Sequence, residues 1–241
     1  MTRRRWIAEE FSGNWAALTG AHADHLVRVL RARVGQEFDI SAGGRVRRGR
    51  IAGVQDGRVE FELGEEVSAV TVPNVALLLA VFKFDRMEWV IEKCTELGVS
   101  RIVPVIARRT DAHLAAAAVK RSDRWRRLAL QAAEQSRRAI PPEIAAPIKL
   151  PDAANANRSA LRIVLAEPLA ESAQQILLRD VLASGSGEEI ALAIGPAGGW
   201  AEDELQFFQT AGWISASLGH TILRAETAAI AATAIVFSEL G

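Results

Sequence analysis

The sequence predicts an α/β protein in which a mainly parallel sheet, flanked by helices, follows a small β-rich barrel. Three observations carry that reading. The run VALLLAVF at 75–82 is continuously apolar, as a strand buried on both faces must be. From Pro73 onward, such runs alternate with segments whose apolar residues recur at helical spacing. Before Pro73, stretches of alternating polarity are separated by turn dipeptides. The boundary falls near residues 68–74, giving one domain over 1–72 and a second over 73–241.

In the first domain, EFDISAGG, RVRRGRIAGV and RVEFELGEEV read as strands, punctuated by GG, DG and LGEE. Leu18 and the Thr19-Gly20 turn lead into one helix within LTGAHADHLVRVLRARVGQ, with His22, Leu26, Val29 and Leu30 near one face. In the second domain VALLLAVF precedes RMEWVIEKCTELG, where Met87, Val90, Ile91, Cys94 and Leu97 form an apolar stripe and Gly98 supplies the stop. RIVPVI is the next strand. RSDRWRRLALQAAEQSRRA reads as a helix with Trp125, Leu128, Ala129 and Ala132 inward. LRIVLA, EIALAIG and WISASL are further strands, and EDELQFFQTAG and ETAAIAATAIVFSEL further helices. Trp89 and Trp125 belong to the core by spacing, whereas Trp6 and Trp15 are open between core packing and base stacking.

Composition narrows the class. One cysteine, Cys94, excludes a disulfide framework and a cysteine metal site, and its place after the apolar stripe makes it buried and inert. His22, His25, His113 and His220 have no spacing that suggests a shared metal, so none is expected. No stretch approaches membrane-spanning length, and MTRRRWIAEE lacks the apolar region of a signal peptide. A cytoplasmic protein is expected. Net charge is zero, yet it is segregated: residues 1–50 hold 10 Lys/Arg against 5 Asp/Glu, and residues 101–150 hold 11 against 4. The intervening and following blocks are acidic. A phosphate backbone responds to a local basic surface more than to total charge, so nucleic acid stays a candidate partner.

Three late loops follow strands: LAEPLAES, IGPAGGW and LGHTILRAET. In an open parallel sheet, loops at the carboxyl ends of strands build the site. These offer glycine backbone, Pro, Leu and Ile, and lack the Gly-Lys-Ser/Thr signature of a phosphate loop. They suit a flat, partly apolar ligand such as an adenosine better than a triphosphate. Taken singly, each reads equally as a tight turn.

KFDRMEWVIEKCTELGV, RWRRLALQAAEQSRR, IGPAGGW and LGHTILRAETAAIAA, in that order and spacing, together with HLVRVLRARVGQ, resemble the RsmE-type ribosomal RNA methyltransferases of the SPOUT superfamily. The resemblance runs over nearly the whole chain. It implies a PUA-like RNA-binding β-barrel, then an α/β SPOUT domain ending in a deep trefoil knot. It also implies a homodimer that uses S-adenosyl-L-methionine to methylate N3 of a uridine in small-subunit (16S) ribosomal RNA. A non-catalytic RNA-binding or ribosome-assembly factor on this fold, and a SPOUT enzyme acting on another RNA atom, are the alternatives.

The resemblance also assigns residues. The methyl donor falls to Leu165, Pro168, Ile194, Gly195, Pro196, Gly198 and Gly199, and to Leu218, Gly219, Ile222, Leu223, Arg224, Thr227 and Ala228. Two departures stand out: Ala197 replaces the Glu of the usual Gly-Pro-Glu-Gly-Gly loop, and Thr221 replaces an Arg. Loss of the N3 proton spreads negative charge onto the neighbouring carbonyl oxygens, so a base and a cation are wanted. Arg224 and Arg138 are the expected cations. Glu134, four residues before Arg138 and placed to pair with it on a helix, and Glu226 complete the catalytic candidates; Glu226 reads equally as a carboxylate at a helix start. RNA contacts are expected from Arg28, Arg31, Arg33, Arg109, Arg137 and Arg138.

Overall fold

The computed structural model describes residues 5–67, 73–166, 176–184 and 189–240. The chain divides into two compact units, Met1–Thr71 with Ala133–Pro141, and Val72–Ala132 with Pro142–Gly241. The sequence boundary near 72 does not foresee the return of residues 133–141 to the first unit.

The first unit contains β1 (Arg5–Ile7), β2 (Glu10–Ser12), β3 (Trp15–Thr19), α1 (Gly20–Asp24) running on as a π-helical turn over His25–Val29, β4 (Glu37–Ala42), β5 (Arg45–Gln55) and β6 (Arg58–Glu66). They form a sheet of order β1-β4-β5-β6-β3-β2. Its outer strands are successive in the chain. Ile7 and Glu10 are three residues apart and span at most about 10 Å, whereas a flat six-stranded sheet separates its edges by roughly 24 Å. The sheet therefore curls strongly, aided by register shifts in β5 between Arg47 and Gly49 and between Ile51 and Gly53. Trp6, Leu18, Leu26, Ile40, Ile51 and Phe61 fill the concavity. The expected helical face through Leu26, Val29 and Leu30 is corrected. Leu26 is buried, but Val29 and Leu30 are exposed. The π turn, closed by the Leu30 N–H on the His25 carbonyl at 3.1 Å, widens the helical period and swings both residues off Leu26's face.

The second unit contains β7 (Asn74–Ala80), α2 (Phe84–Leu97), β8 (Arg101–Ile106), α3 (Ala112–Gln135) up to Ala132, β9 (Glu143–Ile144), β10 (Ile148–Lys149), α4 (Leu150–Ala156), β11 (Leu161–Leu165), α5 (Leu178–Ser184), β12 (Glu189–Ile194), α6 (Glu202–Thr210), β13 (Ile214–Ala216) and α7 (Ala225–Leu240). The sheet runs β10-β8-β7-β12-β11-β13, with β9 also on β8, and every pairing is parallel. Strand β7 shows why its run is apolar throughout. Val75, Leu77 and Leu79 face one layer, with Val90 and Ile91 of α2, Trp125 of α3 and Val236 of α7. Leu78 and Ala80 face the other, with Leu150 of α4 and Trp200, Phe208 and Trp213 around α6. Both faces are covered, so polar alternation has no place.

Cys94 is buried, and burial pushes its thiol up to about 12. Gly98 ends α2, its N–H reaching the Cys94 and Thr95 carbonyls. Trp125 is in the core as expected. Trp89 is corrected, being 49% exposed: it lies two residues from Met87 and one from Val90, which puts it beside the buried stripe instead of on it. Among the described residues no helix is long and apolar enough to cross a membrane.

Candidate functional site

Because β11, β12 and β13 are adjacent and parallel, their carboxyl ends lie side by side at one edge of the sheet. A cleft of about 620 Å³ lies at that edge. The cleft is lined by the expected Leu165, Ile194, Gly195, Pro196, Gly198 and Gly199 from the first two loops. Leu218, Gly219, Ile222, Leu223 and Ala228 line it from the third. Ile222 and Leu223 are exposed, with Ile222 at 81%. The side chains of Arg224 and Thr227 are exposed but are not part of the lining, and Pro168 lies outside the described residues.

Backbone geometry explains the glycines. A Cβ on Gly195 would stand 3.3 Å from both the backbone nitrogen and Nε1 of Trp200, tighter than most real contacts. That indole is 6% exposed beneath the loop, and its Nε1–H donates to the Leu165 carbonyl at 3.2 Å, tying the glycine loop to the end of β11. Gly219 has φ +128, which L side chains rarely adopt, and a Cβ there would meet no atom within 4 Å. At Gly219 the requirement is thus conformational, and at Gly195 it is space. Ala197 has no positive φ, so alanine sits there without backbone strain. Thr221, the second departure, lines the cleft.

The glycine loop is tied from two sides. Glu204, 8% exposed, accepts the Ala201 N–H at 2.8 Å and the Arg108 N–H at 2.7 Å, fixing the start of α6 to the loop after β8. Arg109, also in that loop, reaches past β7 and donates from Nη1 to the Gly198 carbonyl at 2.6 Å. Arg109 therefore borders the cleft, a role its place after a strand did not reveal. The sequence signals for Glu204 and Trp200 were present, a Glu three residues into a helix and an aromatic directly after Gly-Gly, but neither names a partner.

Two of the expected catalytic residues take structural partners. Glu226 is 6% exposed, does not line the cleft, and pairs with Arg86 of α2 at 3.2 Å, so it anchors the first turn of α7. Glu134 does not meet Arg138 along a helix. α3 ends at Gln135 and Arg137 turns to φ +60, which breaks the four-residue register. Glu134 instead faces His22 Nε2 at 3.3 Å, while Glu9 holds His22 Nδ1. These two carboxylates raise the His22 imidazole to about 10. All three residues, with Arg137 and Arg138, belong to the first unit. Burial brings the Arg138 guanidinium down to about 10. Arg28, in the π turn, and Arg31 and Arg33, just after it, are exposed.

Residues 70–237 match the family described as RNA methyltransferase domain, and residues 18–64 that described as RNA methyltransferase PUA domain. Ribosomal RNA small subunit methyltransferase E of Synechocystis is 33% identical over 221 residues, covering 90% of this chain and 71% of that protein. The protein of the same name from Mycobacterium bovis is 32% identical, with 93% and 87% covered. The crystal structure of the Neisseria gonorrhoeae protein of that name, bound to S-adenosyl methionine, superposes with a TM-score of 0.81 at 29% identity over 97% of this chain and 96% of that one. A Legionella pneumophila structure of a putative methyltransferase with bound cofactor SAM gives 0.82 at 26% identity over 99% and 98%. With both of its units matched, and with its glycine-loop cleft formed on that shared fold, the chain belongs to the ribosomal RNA small subunit methyltransferase E family.

Proposed function

We propose that this protein methylates N3 of a uridine in small-subunit ribosomal RNA, with S-adenosylmethionine held in the cleft of the three loops. The observation that carries this reading is the fit of the cleft to that cofactor. Ile194, Leu218 and Leu223 offer an apolar wall for an adenine, and the loops offer free backbone around Gly219. Arg109 and Glu202, of opposite sign, both line the cleft and match the carboxylate and ammonium of an amino-acid end. No phosphate reader is required by such a ligand.

When bound, the cofactor supplies an electrophilic methyl group on a sulfonium. The chain's part is positioning and charge stabilisation. The Trp200–Leu165 and Arg109–Gly198 hydrogen bonds hold the loops in register. Arg224, exposed between the lining residues Leu223 and Ala225, is the cation for the negative charge that develops on the uracil carbonyls. Arg138, Arg137, Arg109 and the arginines of residues 28–33 hold RNA.

The finer architecture follows the same reading. The chain leaves β11 for β12 on one side and returns to β13 on the other, which supports a knotted path through these loops. Helix α7 is apolar nearly all round, and Ile230 and Ile235 are only partly covered, which supports a homodimer formed through it. A ribosomal RNA substrate supports a cytoplasmic location.

The test is methylation of small-subunit RNA or subunits by the purified protein with labelled cofactor, followed by mass mapping. A methyl group on uracil N3 also removes a Watson–Crick donor and stops reverse transcription. Methylation at a ribose hydroxyl, or none, overturns the assignment.

A further inference from the structure

We propose that residues 28–34 of the first unit form a knuckle that reads unpaired RNA. Val29, Leu30 and Val34 meet the faces of unstacked bases, and Arg28, Arg31 and Arg33 hold the adjoining phosphates. The proposal rests on the RNA-methyltransferase reading and adds the form of RNA recognised and the residues that recognise it.

The first support is exposure. Val29 is 64% exposed, Leu30 41% and Val34 62%. Three large aliphatic side chains within six residues gain little from folding, and such a patch marks a contact surface. The second is charge. The order is Arg-Val-Leu-Arg-Ala-Arg-Val, with cations between and beside the aliphatics. Arg28 shares Asp24 at 3.5 Å and Asp56 at 4.0 Å, and among the described residues no carboxylate pairs with Arg31 or Arg33. The third is backbone. The segment starts in a π turn, a local form frequent at functional sites. Arg31 has φ +53, a left-handed conformation that a non-glycine residue keeps only when its surroundings impose it. Those surroundings are present: the Ala32 N–H bonds to the Leu26 carbonyl at 3.0 Å, and the Arg33 N–H to Gln36 Oε1 at 3.0 Å. Ala32 is buried beneath them. The display is thus pre-organised and loses little freedom on binding.

Charge complementarity selects the partner. A second copy meeting this patch by two-fold symmetry would oppose arginines to arginines. A polyanion with accessible bases satisfies both components. The bases of an RNA duplex are stacked and paired, so aliphatic side chains meet them only in loops, bulges or single strands.

The experiment compares the full-length wild type with Val29→Ser/Leu30→Ser/Val34→Ser and with Arg28→Gln/Arg31→Gln/Arg33→Gln. The probes are a fluorescent single-stranded RNA dodecamer and a duplex of equal length, titrated across a salt series. The serine triple is expected to lose about 10-fold in single-strand affinity, through lost apolar burial against the bases, with an unchanged salt slope. The glutamine triple is expected to flatten the slope by about two to three. Duplex binding should respond to the glutamine triple alone. Wild-type single-strand affinity in the serine triple overturns the proposal, as does an equal loss on the duplex. A fall in mass by light scattering overturns it too, since the patch would then join copies. Val29→Ser/Val34→Ser, restricted to the two most exposed positions, carries the same expectation if Leu30 proves necessary for folding. Cofactor affinity, measured on the same preparations, separates the two readings. If the wild type binds no S-adenosylmethionine, the methyltransferase reading fails while the RNA titrations still decide the knuckle.

Discussion

The glycine-loop cleft and the knuckle at residues 28–34 are opposite kinds of surface. The cleft is built largely from backbone: its charged lining is Arg109 and Glu202 among the described residues, and its glycines are set by space at Gly195 and by conformation at Gly219. The knuckle is built from side chains, three exposed arginines and three exposed aliphatics. The difference teaches where precision comes from. A small ligand held on all sides is fixed by loop geometry, so one added methyl matters. A polyanion is held by several flexible charges, each contributing a modest share.

Replacing Arg224 by Ala should cut deepest. It removes a cation aimed at developing charge and is expected to lower single-turnover methylation about 10²–10³-fold at saturating RNA. Wild-type turnover in that variant would end Arg224's catalytic assignment. Gly195→Val should come next, costing the cleft about 10–100-fold in S-adenosylmethionine affinity by calorimetry, since overpacking costs about 1–3 kcal/mol. The first unit should melt as before. Unchanged affinity there would mean the glycine loop is not the cofactor's seat.

Glu204→Ala attacks the tie beneath the cleft. It leaves the Arg108 and Ala201 N–H groups without their acceptor and should destabilise the second unit by about 1–3 kcal/mol in denaturant titration.

His22 tests the first unit. The unfolded imidazole titrates near 6.5 and the folded one at about 10, so the folded chain binds this proton more tightly. The resulting stability is complete below about pH 6.5 and is lost as pH rises through about 10. His22→Gln should flatten that decline, and an equally steep decline in the variant would show that another group causes it. Arg109→Ala should have the smallest effect on each ligand and the most informative one. It should weaken cofactor binding several-fold through Gly198 and lower the RNA salt slope by about one, which would show one arginine serving both kinds of surface.

Much of this molecule was legible from local pattern. The apolar run of β7 and the strand RIVPVI at 101–106 follow from continuous apolar sequence, which marks a strand buried on both faces, and the stripe through Met87, Val90, Ile91 and Cys94 follows from a repeat of 3.6 residues. The three loops were found because glycine and proline after an apolar run report a chain leaving a sheet. The short β1 to β3, the two-residue β9 and β10, and α4 and α5 carry neither a long apolar run nor a repeated period, so local pattern does not show them.

The charged residues divide at the same line. That Glu134, Glu226 and Arg109 are polar groups needing partners is written in the sequence. Which partners they take was decided by tertiary structure: His22 lies 112 positions from Glu134, Arg86 lies 140 from Glu226, and Gly198 lies 89 from Arg109. Sequence spacing pairs Glu134 with Arg138 because residues four apart on a helix are neighbours. The end of α3 at Gln135, and the turn at Arg137 that follows it, belong to the path of residues 133–141 into the first unit. The sequence determined the elements, the loops and the family. The folded chain decided the partners of each charge, because those contacts join residues far apart in the chain, whereas the exposure of Val29, Leu30 and Trp89 followed from the π turn and from Trp89's place beside the stripe.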